Sequence, residues 1–182
     1  MKTISQFKTL ITLVLCISLF TCSNNDDEQQ SNEYPISYAE FTIQGPNTNG
    51  NYEYRDEVET DDFSTTGRLY TTQENPDLPE DQIQLYIGKT FSLNNFLVVA
   101  PNSTGTHSIT YQGGPNDRDV AIKLTSPEEN YYAKEVSITI TELELNGSNV
   151  IHCKGTFAGS FYRYNLVEAD VHTINGEFEI NQ

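Results

Sequence analysis

Short runs of β-favouring residues, separated by clusters of Gly, Pro, Asn and Asp, make up the chain after residue 33. The clearest run covers residues 151–161, where the odd positions carry Ile, Cys, Gly, Phe, Gly and Phe and the even positions are mostly polar. A period of two indicates a strand with one buried face. No run places a helix between strands, which disfavours a parallel sheet with crossover helices. The chain is therefore predicted to be all-β.

The number of these runs predicts the architecture. We expect about nine or ten short antiparallel strands in a β-sandwich, with an open barrel as the alternative. The predicted strands cover residues 36–44, 52–59, 66–73, 82–91, 96–100, 105–112, 120–125, 136–145, 151–161 and 171–180.

Two local features refine this prediction. Strands 105–112 and 120–125 flank the segment GGPNDRD and are expected to form a hairpin with a long turn. In strand 136–145 the apolar residues change parity after Ile140. A change of parity inside an apolar strand predicts a bulge or bend, here near residues 141–142.

The last predicted strand contains Asn175-Gly176, a pair that favours two-residue hairpin turns. A hairpin there would leave strands of about four residues, shorter than the usual five or six. We therefore expect one strand with a bulge centred on Gly176, which pairs back on residues 155–162.

The N-terminal residues carry the pattern of an export signal. Lys2 and Lys8 precede an apolar run over residues 10–20. A charged region followed by a short apolar region is typical of a secretory signal. A membrane-spanning helix needs about 20 apolar residues, more than this run supplies. We expect residues 1–21 to be a signal peptide.

Residues 19–22 (LFTC) resemble a bacterial lipobox, with Thr21 where Gly, Ala or Ser is usual. The resemblance implies that Cys22 receives a diacylglycerol group and becomes the first residue of the mature protein. The alternative is ordinary secretion with cleavage after Ser23. In the first case residues 22–33 are the lipidated cysteine and a disordered acidic tether, and residues 34–182 form a single domain.

We interpret the remaining cysteine and the three histidines as residues without a chemical role. Cys16 leaves with the signal peptide and Cys22 is lipidated, so Cys153 has no disulfide partner and is expected to be a small buried side chain. The three histidines lie in predicted strands and are expected to face solvent; their positions are His107, His152 and His172.

The chain is strongly acidic, with a formal net charge of −16 at pH 7. Such a surface repels phosphate backbones, which excludes nucleic acid as a partner. Anionic head groups are repelled as well, so attachment to a membrane would depend on the lipid anchor rather than on a basic patch.

Four segments resemble a group of small Bacteroidetes-type lipoproteins: GTHSIT (105–110), VSITITELE (136–144), KGTFAGSF (154–161) and INGEFEI (174–180). In that group a lipobox and an acidic tether precede an all-β domain with the same closing motifs. The resemblance implies anchoring in the outer membrane, and the acidic residues 26–28 after Cys22 imply display at the cell surface; the periplasmic face is the alternative. The resemblance to this group implies no biochemical activity.

Catalytic motifs are missing from the sequence, including H-E-x-x-H, the Walker loop and G-x-S-x-G. Two acidic clusters have the oxygen ligands that Ca²⁺ prefers, although neither has EF-hand spacing. A solvated acidic face is the competing interpretation, and no other cofactor is predicted. The first cluster contains Glu57, Glu59 and Asp61, and the second contains Asn116, Asp117 and Asp119.

The tyrosines are the remaining candidates for ligand contacts. The chain has 11 tyrosines and no Trp. Tyr52 and Tyr54 share a face of one predicted strand, and Tyr162 and Tyr164 share a face of another. Exposed tyrosines stack on sugars or anchor protein interfaces. The sequence thus predicts a non-catalytic module that binds a glycan or an envelope protein. The alternatives are a glycoside hydrolase-like enzyme using two carboxylates and a periplasmic inhibitor or immunity lipoprotein.

Overall fold

The computed structural model describes residues 36–56, 63–89, 94–114, 117–125, 128–164, 166 and 168–182. Its chain divides into two units, Met1–Glu33 and Tyr34–Gln182, and all described residues belong to the second. The predicted signal peptide, the lipidated Cys22 and the acidic tether lie outside the described residues.

Within these ranges the chain forms ten strands and no helix, which confirms the all-β prediction. The part of the chain that the structure describes thus contains no helix able to span a membrane. The strands are β1 (Ser37–Gln44), β2 (Asn49–Asp56), β3 (Phe63–Tyr70), β4 (Gln82–Lys89), β5 (Asn95–Pro101), β6 (Gly105–Ile109), β7 (Asp119–Thr125), β8 (Glu128–Asn146), β9 (Asn149–Arg163) and β10 (Val171–Asn181).

The ten strands belong to one antiparallel sheet that bends into two layers. The first layer has the order β2-β1-β10-β9-β8-β6, and the second has the order β3-β4-β5-β7. β8 joins the layers, because its first residues pair with β7 and its later residues with β6, while its other edge pairs with β9. At the opposite end of β9, Asn149 pairs with Arg68 of β3.

The core between the two layers is centred on phenylalanine rings. The ring of Phe96 in β5 lies 5.3 Å from that of Phe157 in β9 and 5.7 Å from that of Phe178 in β10, measured between centroids. All three side chains are fully buried. The contact of β5 with β9 and β10 through their inner faces gives the sandwich-like arrangement that the strand pattern predicts.

The predicted irregularity in β8 is present. The register of β8 against β9 shifts between Ile140 and Glu142, where the apolar residues change parity. A second shift lies between Ala133 and Glu135. It moves the buried parity from the odd positions 131 and 133 to the even positions 136, 138 and 140, so both halves of the long strand face the core.

Two predicted details of pairing are wrong. β6 and β7 do not form a hairpin with each other; both pair with β8, which at 19 residues is long enough to present its edge to each in turn. β10 is a single strand as predicted, but its ladder runs through Gly176 without a bulge. Gly176 instead allows β1 and β10 to approach closely, because a Cβ at this position would lie 2.3 Å from the carbonyl oxygen of Glu40.

Gly159 has a similar role beside the shift in β8. A Cβ at this position would lie 2.1 Å from the carbonyl oxygen of Glu135 and 2.7 Å from the Cα of Val136. Both are backbone atoms, which cannot move aside without breaking the ladder. This glycine of the GTFAG segment therefore serves the packing of β9 on β8 rather than a chemical role.

The cysteine prediction is confirmed, whereas one histidine prediction is wrong. Cys153 is a free, fully buried thiol, and burial raises its pKa to about 12. His107 and His152 are partly exposed, but His172 is only 1% exposed. His172 faces inward because it shares the parity of Ile174 and the other buried residues of β10.

Candidate functional site

The outer faces of the two layers each carry a concave surface, and the two differ in chemistry. On the first layer, a groove of about 800 Å³ crosses strands β2, β1, β10, β9 and β8. Its side chains form two rows of directly paired neighbours, and we call this surface the polar groove. One row is Asn51, Thr42, Asn175, Ala158 and Ser137, and the other is Glu53, Glu40, Glu177, Thr156 and Thr139.

Three carboxylates stand side by side in the polar groove. Glu40 lies directly opposite Glu53 on one side and Glu177 on the other. Like charges in this position normally destabilise a sheet. Arg55 compensates by forming ion pairs with Glu40 (2.7 Å) and with Glu53. The hydroxyl of Tyr38 donates to Glu177 at 3.4 Å. The acids of the groove therefore already have partners within the protein.

The second layer carries a cleft of about 380 Å³ on its outer face. Its floor is formed by outward-facing residues of β4, β5 and β7, namely Gln84, Leu97, Val99 and Ala121. Its walls come from the β3–β4 loop and the β6–β7 loop, with Tyr70, Tyr111 and Tyr132 around the rim. We call this surface the tyrosine cleft.

The floor is unusual for the outer face of a sandwich. Leu97 and Val99 alternate with the core residues Phe96 and Val98, so their side chains point away from the core and remain partly exposed. A solvated outer face normally carries polar residues at these positions. A partly exposed apolar floor in a concave surface is the property that ligand sites share.

The walls are held in place by specific contacts. The rings of Tyr111 and Tyr132 stack with centroids 5.1 Å apart and planes inclined by 19°. The backbone N–H of Tyr111 donates to the carbonyl of Ala133 at 2.8 Å, which fixes the β6–β7 loop against β8. Arg118 of that loop forms an ion pair with Glu80 of the β3–β4 loop. The two walls are thereby tied together at one end.

Two buried polar side chains reach the cleft. Gln82 is 6% exposed, and its Oε1 is buried and accepts no hydrogen bond from the protein. Asp119 is 5% exposed, and its Oδ1 accepts the N–H of Ala133 at 2.9 Å. Burial raises the pKa of Asp119 to about 7, against the opposing effect of the N–H groups of Ala133 and Val120. A buried acceptor without a partner is costly, so Gln82 marks a place where a ligand donor would stabilise the protein.

The four tyrosines singled out in the sequence lie outside the tyrosine cleft. Tyr54 belongs to the core, where it packs on Phe41 and donates its hydroxyl to the carbonyl of Lys123 at 2.8 Å, so it is not available to a ligand. Tyr52 stacks on Phe41 and borders the polar groove. These two residues share a face, as predicted, but it is the inner face at the edge of the sheet.

The other pair lies at the end of β9. Tyr162 donates its hydroxyl to Glu168 at 2.8 Å, with Lys134 over its ring. Tyr164 has a left-handed backbone with φ of 58° and donates its hydroxyl to the carbonyl of Glu128. Both tyrosines are therefore engaged in local contacts that fasten the β9–β10 connection.

Most of the predicted calcium ligands cannot be placed. Glu57, Glu59, Asp61 and Asn116 lie outside the described residues. Asp117 accepts the N–H groups of Gln112 (2.9 Å) and Gly114 (2.8 Å), so its carboxylate shapes the β6–β7 loop. The described residues contain no group of three or more His, Cys, Asp or Glu side chains that could hold a metal ion.

The sequence did contain one signal for the cleft. The run FLVVA at residues 96–100 is apolar at odd and even positions alike, which means that both faces of β5 are apolar. In a two-layer fold only one face of a strand meets the core, so the second apolar face predicts a covered or ligand-binding surface.

Comparison of the chain with family models, with curated protein sequences and with solved structures finds no match in any of the three. The chemistry of the tyrosine cleft therefore carries the functional assignment.

A buried ionic cluster lies away from both surfaces and has a structural role. Glu129 is 1% exposed and accepts the hydroxyls of Thr48 and Tyr131. Arg163 lies 2.6 Å from Glu129 and 3.1 Å from Asp170, in both cases between nitrogen and oxygen. The cluster fastens the β1–β2 turn and the β9–β10 connection to the start of β8.

His172 at the edge of this cluster predicts a pH dependence of stability. It packs edge-on against the ring of Tyr131, and Asp170, Arg163 and Glu129 are the charged groups around it. Burial lowers its pKa. The unfolded state therefore binds the proton more readily, so the contribution of His172 is complete above about pH 6.5 and is lost as the pH falls below that value.

We expect the stability difference between wild type and His172→Phe to shrink as the pH falls from 7.5 to 5, by at most about 1.4 kcal/mol per pH unit. Urea unfolding at several pH values measures it. His152→Gln is the matched control with the opposite sign, because hydrogen bonds with Asn181 and Glu142 outweigh partial burial and raise the pKa of His152. Parallel stability curves for wild type and His172→Phe would contradict the assignment.

Proposed function

We propose that this chain is a lipid-anchored cell-envelope protein whose β domain binds a glycan or protein ligand, without catalysis, in the tyrosine cleft. The observation that carries the binding role is the combination of an apolar floor with the unpartnered acceptor of Gln82. The export pattern and the lipobox-like residues that end at Cys22 support the location in the envelope.

The floor and the rim suit binding for different reasons. Apolar surface left in water costs about 25 cal/mol per Å², so covering Leu97 and Val99 with a ligand would be favourable. Tyrosine offers a large contact area with few rotatable bonds and a hydroxyl for hydrogen bonding. Two of the three rim tyrosines are already fixed by mutual stacking, which reduces the entropy lost on binding.

Envelope capture tests the binding role. Wild-type chain displayed in its host membrane should retain an envelope ligand that the cleft variants Leu97→Lys and Tyr111→Ala lose. The groove variants Thr139→Ala and Thr156→Ala are the matched controls and should retain it. Retention by the cleft variants together with loss by the groove variants would overturn the proposal.

The anchor has its own test. Cys22→Ala should abolish incorporation of a labelled fatty acid and move the protein out of the membrane fraction. Protease treatment of intact cells then separates surface display from the periplasmic face, since only the surface protein is cleaved.

The polar groove supports a second candidate, a carboxylate-dependent glycoside hydrolase. Glu40 and Glu177 are directly paired neighbours, whose Cβ atoms lie about 4.5–5.5 Å apart, so side-chain rotation can bring the carboxyl groups to the separation of about 5–5.5 Å that retaining glycosidases use. This candidate predicts glycan hydrolysis that Glu177→Gln abolishes and Leu97→Lys leaves intact, whereas the binding proposal predicts no turnover.

A further inference from the structure

We propose that the tyrosine cleft receives an aliphatic primary ammonium group, the end of a lysine side chain presented by a partner protein. This inference rests on the proposed function and chooses the protein ligand over the glycan.

The charge of the tyrosine cleft favours a cationic ligand. The described residues that line the cleft include the carboxyl groups of Asp117 and Asp119 and no basic side chain. Two arginines lie beside the cleft: Arg118 forms an ion pair with Glu80, and Arg68 lies over the ring of Tyr70, 5.0 Å from its centroid. The whole chain carries a net charge of −16. An anionic ligand would be repelled here, and a cation would be attracted.

Independently of charge, the unpartnered acceptor of Gln82 favours a ligand that donates a hydrogen bond. The Oε1 of Gln82 can only accept, so its partner must bring an N–H or O–H donor. A primary ammonium has three such donors. In this proposal the ammonium donates to Gln82, while Asp119, which lies across β5 on the same outer face, supplies negative charge. A quaternary ammonium has no donor, and a neutral sugar would leave the two acidic side chains without a counter-charge.

The shape of a lysine side chain fits the rest of the cleft. Its four-carbon stem is apolar and can lie on Leu97, Val99 and Ala121, while the charged end reaches the polar groups. Tyrosine faces also attract cations. A lysine–tyrosine contact of this kind is already present elsewhere in the domain, where the Nζ of Lys134 lies 5.4 Å from the ring centroid of Tyr162.

Amide chemical shifts of the full chain in mild detergent test the inference. The probe is Nα-acetyl-lysine methylamide, titrated at pH 8, where Asp119 with its pKa of about 7 is mostly ionised, and in about 0.15 M salt to screen diffuse attraction. We expect shifts at Leu97, Tyr111 and Tyr132. The Nε-acetylated probe and the norleucine analogue should cause none, because they lack the ammonium.

Variants separate the contribution of the hydrogen bond to Gln82 from that of the charge on Asp119. Gln82→Met removes the acceptor with little change of shape, and Asp119→Asn removes the charge while keeping an acceptor for the N–H of Ala133. Each is expected to weaken binding of the lysine probe about tenfold, Gln82→Met through the lost charge-assisted hydrogen bond and Asp119→Asn through the lost counter-charge. Glu144→Gln, which neutralises an exposed carboxylate of β8 outside both surfaces, is the matched control and should leave the affinity unchanged within about twofold.

Three results would overturn the inference. One is binding of methyl glucoside, but not of the lysine probe, in the cleft; the proposed binding function would then stand with a glycan as ligand. The second is lysine-induced shifts spread over the acidic surface and unchanged by the cleft variants. The third is no shift in the cleft with any probe, after which envelope capture with Leu97→Lys decides the proposed function separately.

Discussion

Replacement of Arg163 by methionine is expected to lower the free energy of unfolding by about 3–5 kcal/mol, because it leaves the buried carboxylate of Glu129 without its counter-ion. Glu129 is 1% exposed, and Arg163 is 2.6 Å from it. Chemical denaturation at neutral pH measures the loss. Arg55→Met is the matched control, since its ion pairs are exposed, and it should cost at most about 1 kcal/mol.

A second variant separates a charge effect from lost packing. Glu129→Gln keeps an acceptor for the hydroxyls of Thr48 and Tyr131 and removes the charge. Combined with Arg163→Met, it should restore most of the stability, because the buried charge of Glu129 is gone and Asp170, the other carboxylate that pairs with Arg163, is partly exposed to water. A double variant as unstable as Arg163→Met alone would show that the buried ion pair is not what fastens this end of the sandwich.

Truncation of Phe96 to alanine is expected to cost about 3–5 kcal/mol, the usual loss for a fully buried aromatic ring. The ring contacts both Phe157 and Phe178, so its removal opens a cavity between the two layers. Leu97→Ala is the control on the same strand. Its side chain faces outward, and we expect it to cost at most about 1 kcal/mol. Equal costs for the two variants would contradict the assignment of inner and outer faces.

Much of the fold could be predicted from the parity of apolar residues. The parity within residues 136–145 predicted the bulge after Ile140, because a buried face must stay on one side of the sheet. The first half of β8 was missed, since residues 128–135 carry several charges that suggest a loop. Glu129 is nevertheless buried there, and its partners come from distant parts of the chain. Local sequence patterns do not report such compensation.

The candidate site was harder to predict than the fold. The tyrosine cleft brings together the β3–β4 loop, the β6–β7 loop and residues of five strands, β3, β4, β5, β7 and β8. Its assembly depends on which strands pair, and the sequence did not indicate that β6 and β7 both pair with β8. The tyrosine hypothesis selected Tyr54, which is buried instead, because spacing along a strand does not show which of its faces meets the core.

Photo-crosslinking in intact cells tests most directly whether the tyrosine cleft is the working surface. A benzophenone amino acid replaces Asn75 in the wall of the cleft or Thr156 in the polar groove, in the full chain with its anchor. We expect a discrete crosslinked product from position 75, attached close to a lysine of the partner, and none from position 156. A product from position 156 alone would contradict this prediction.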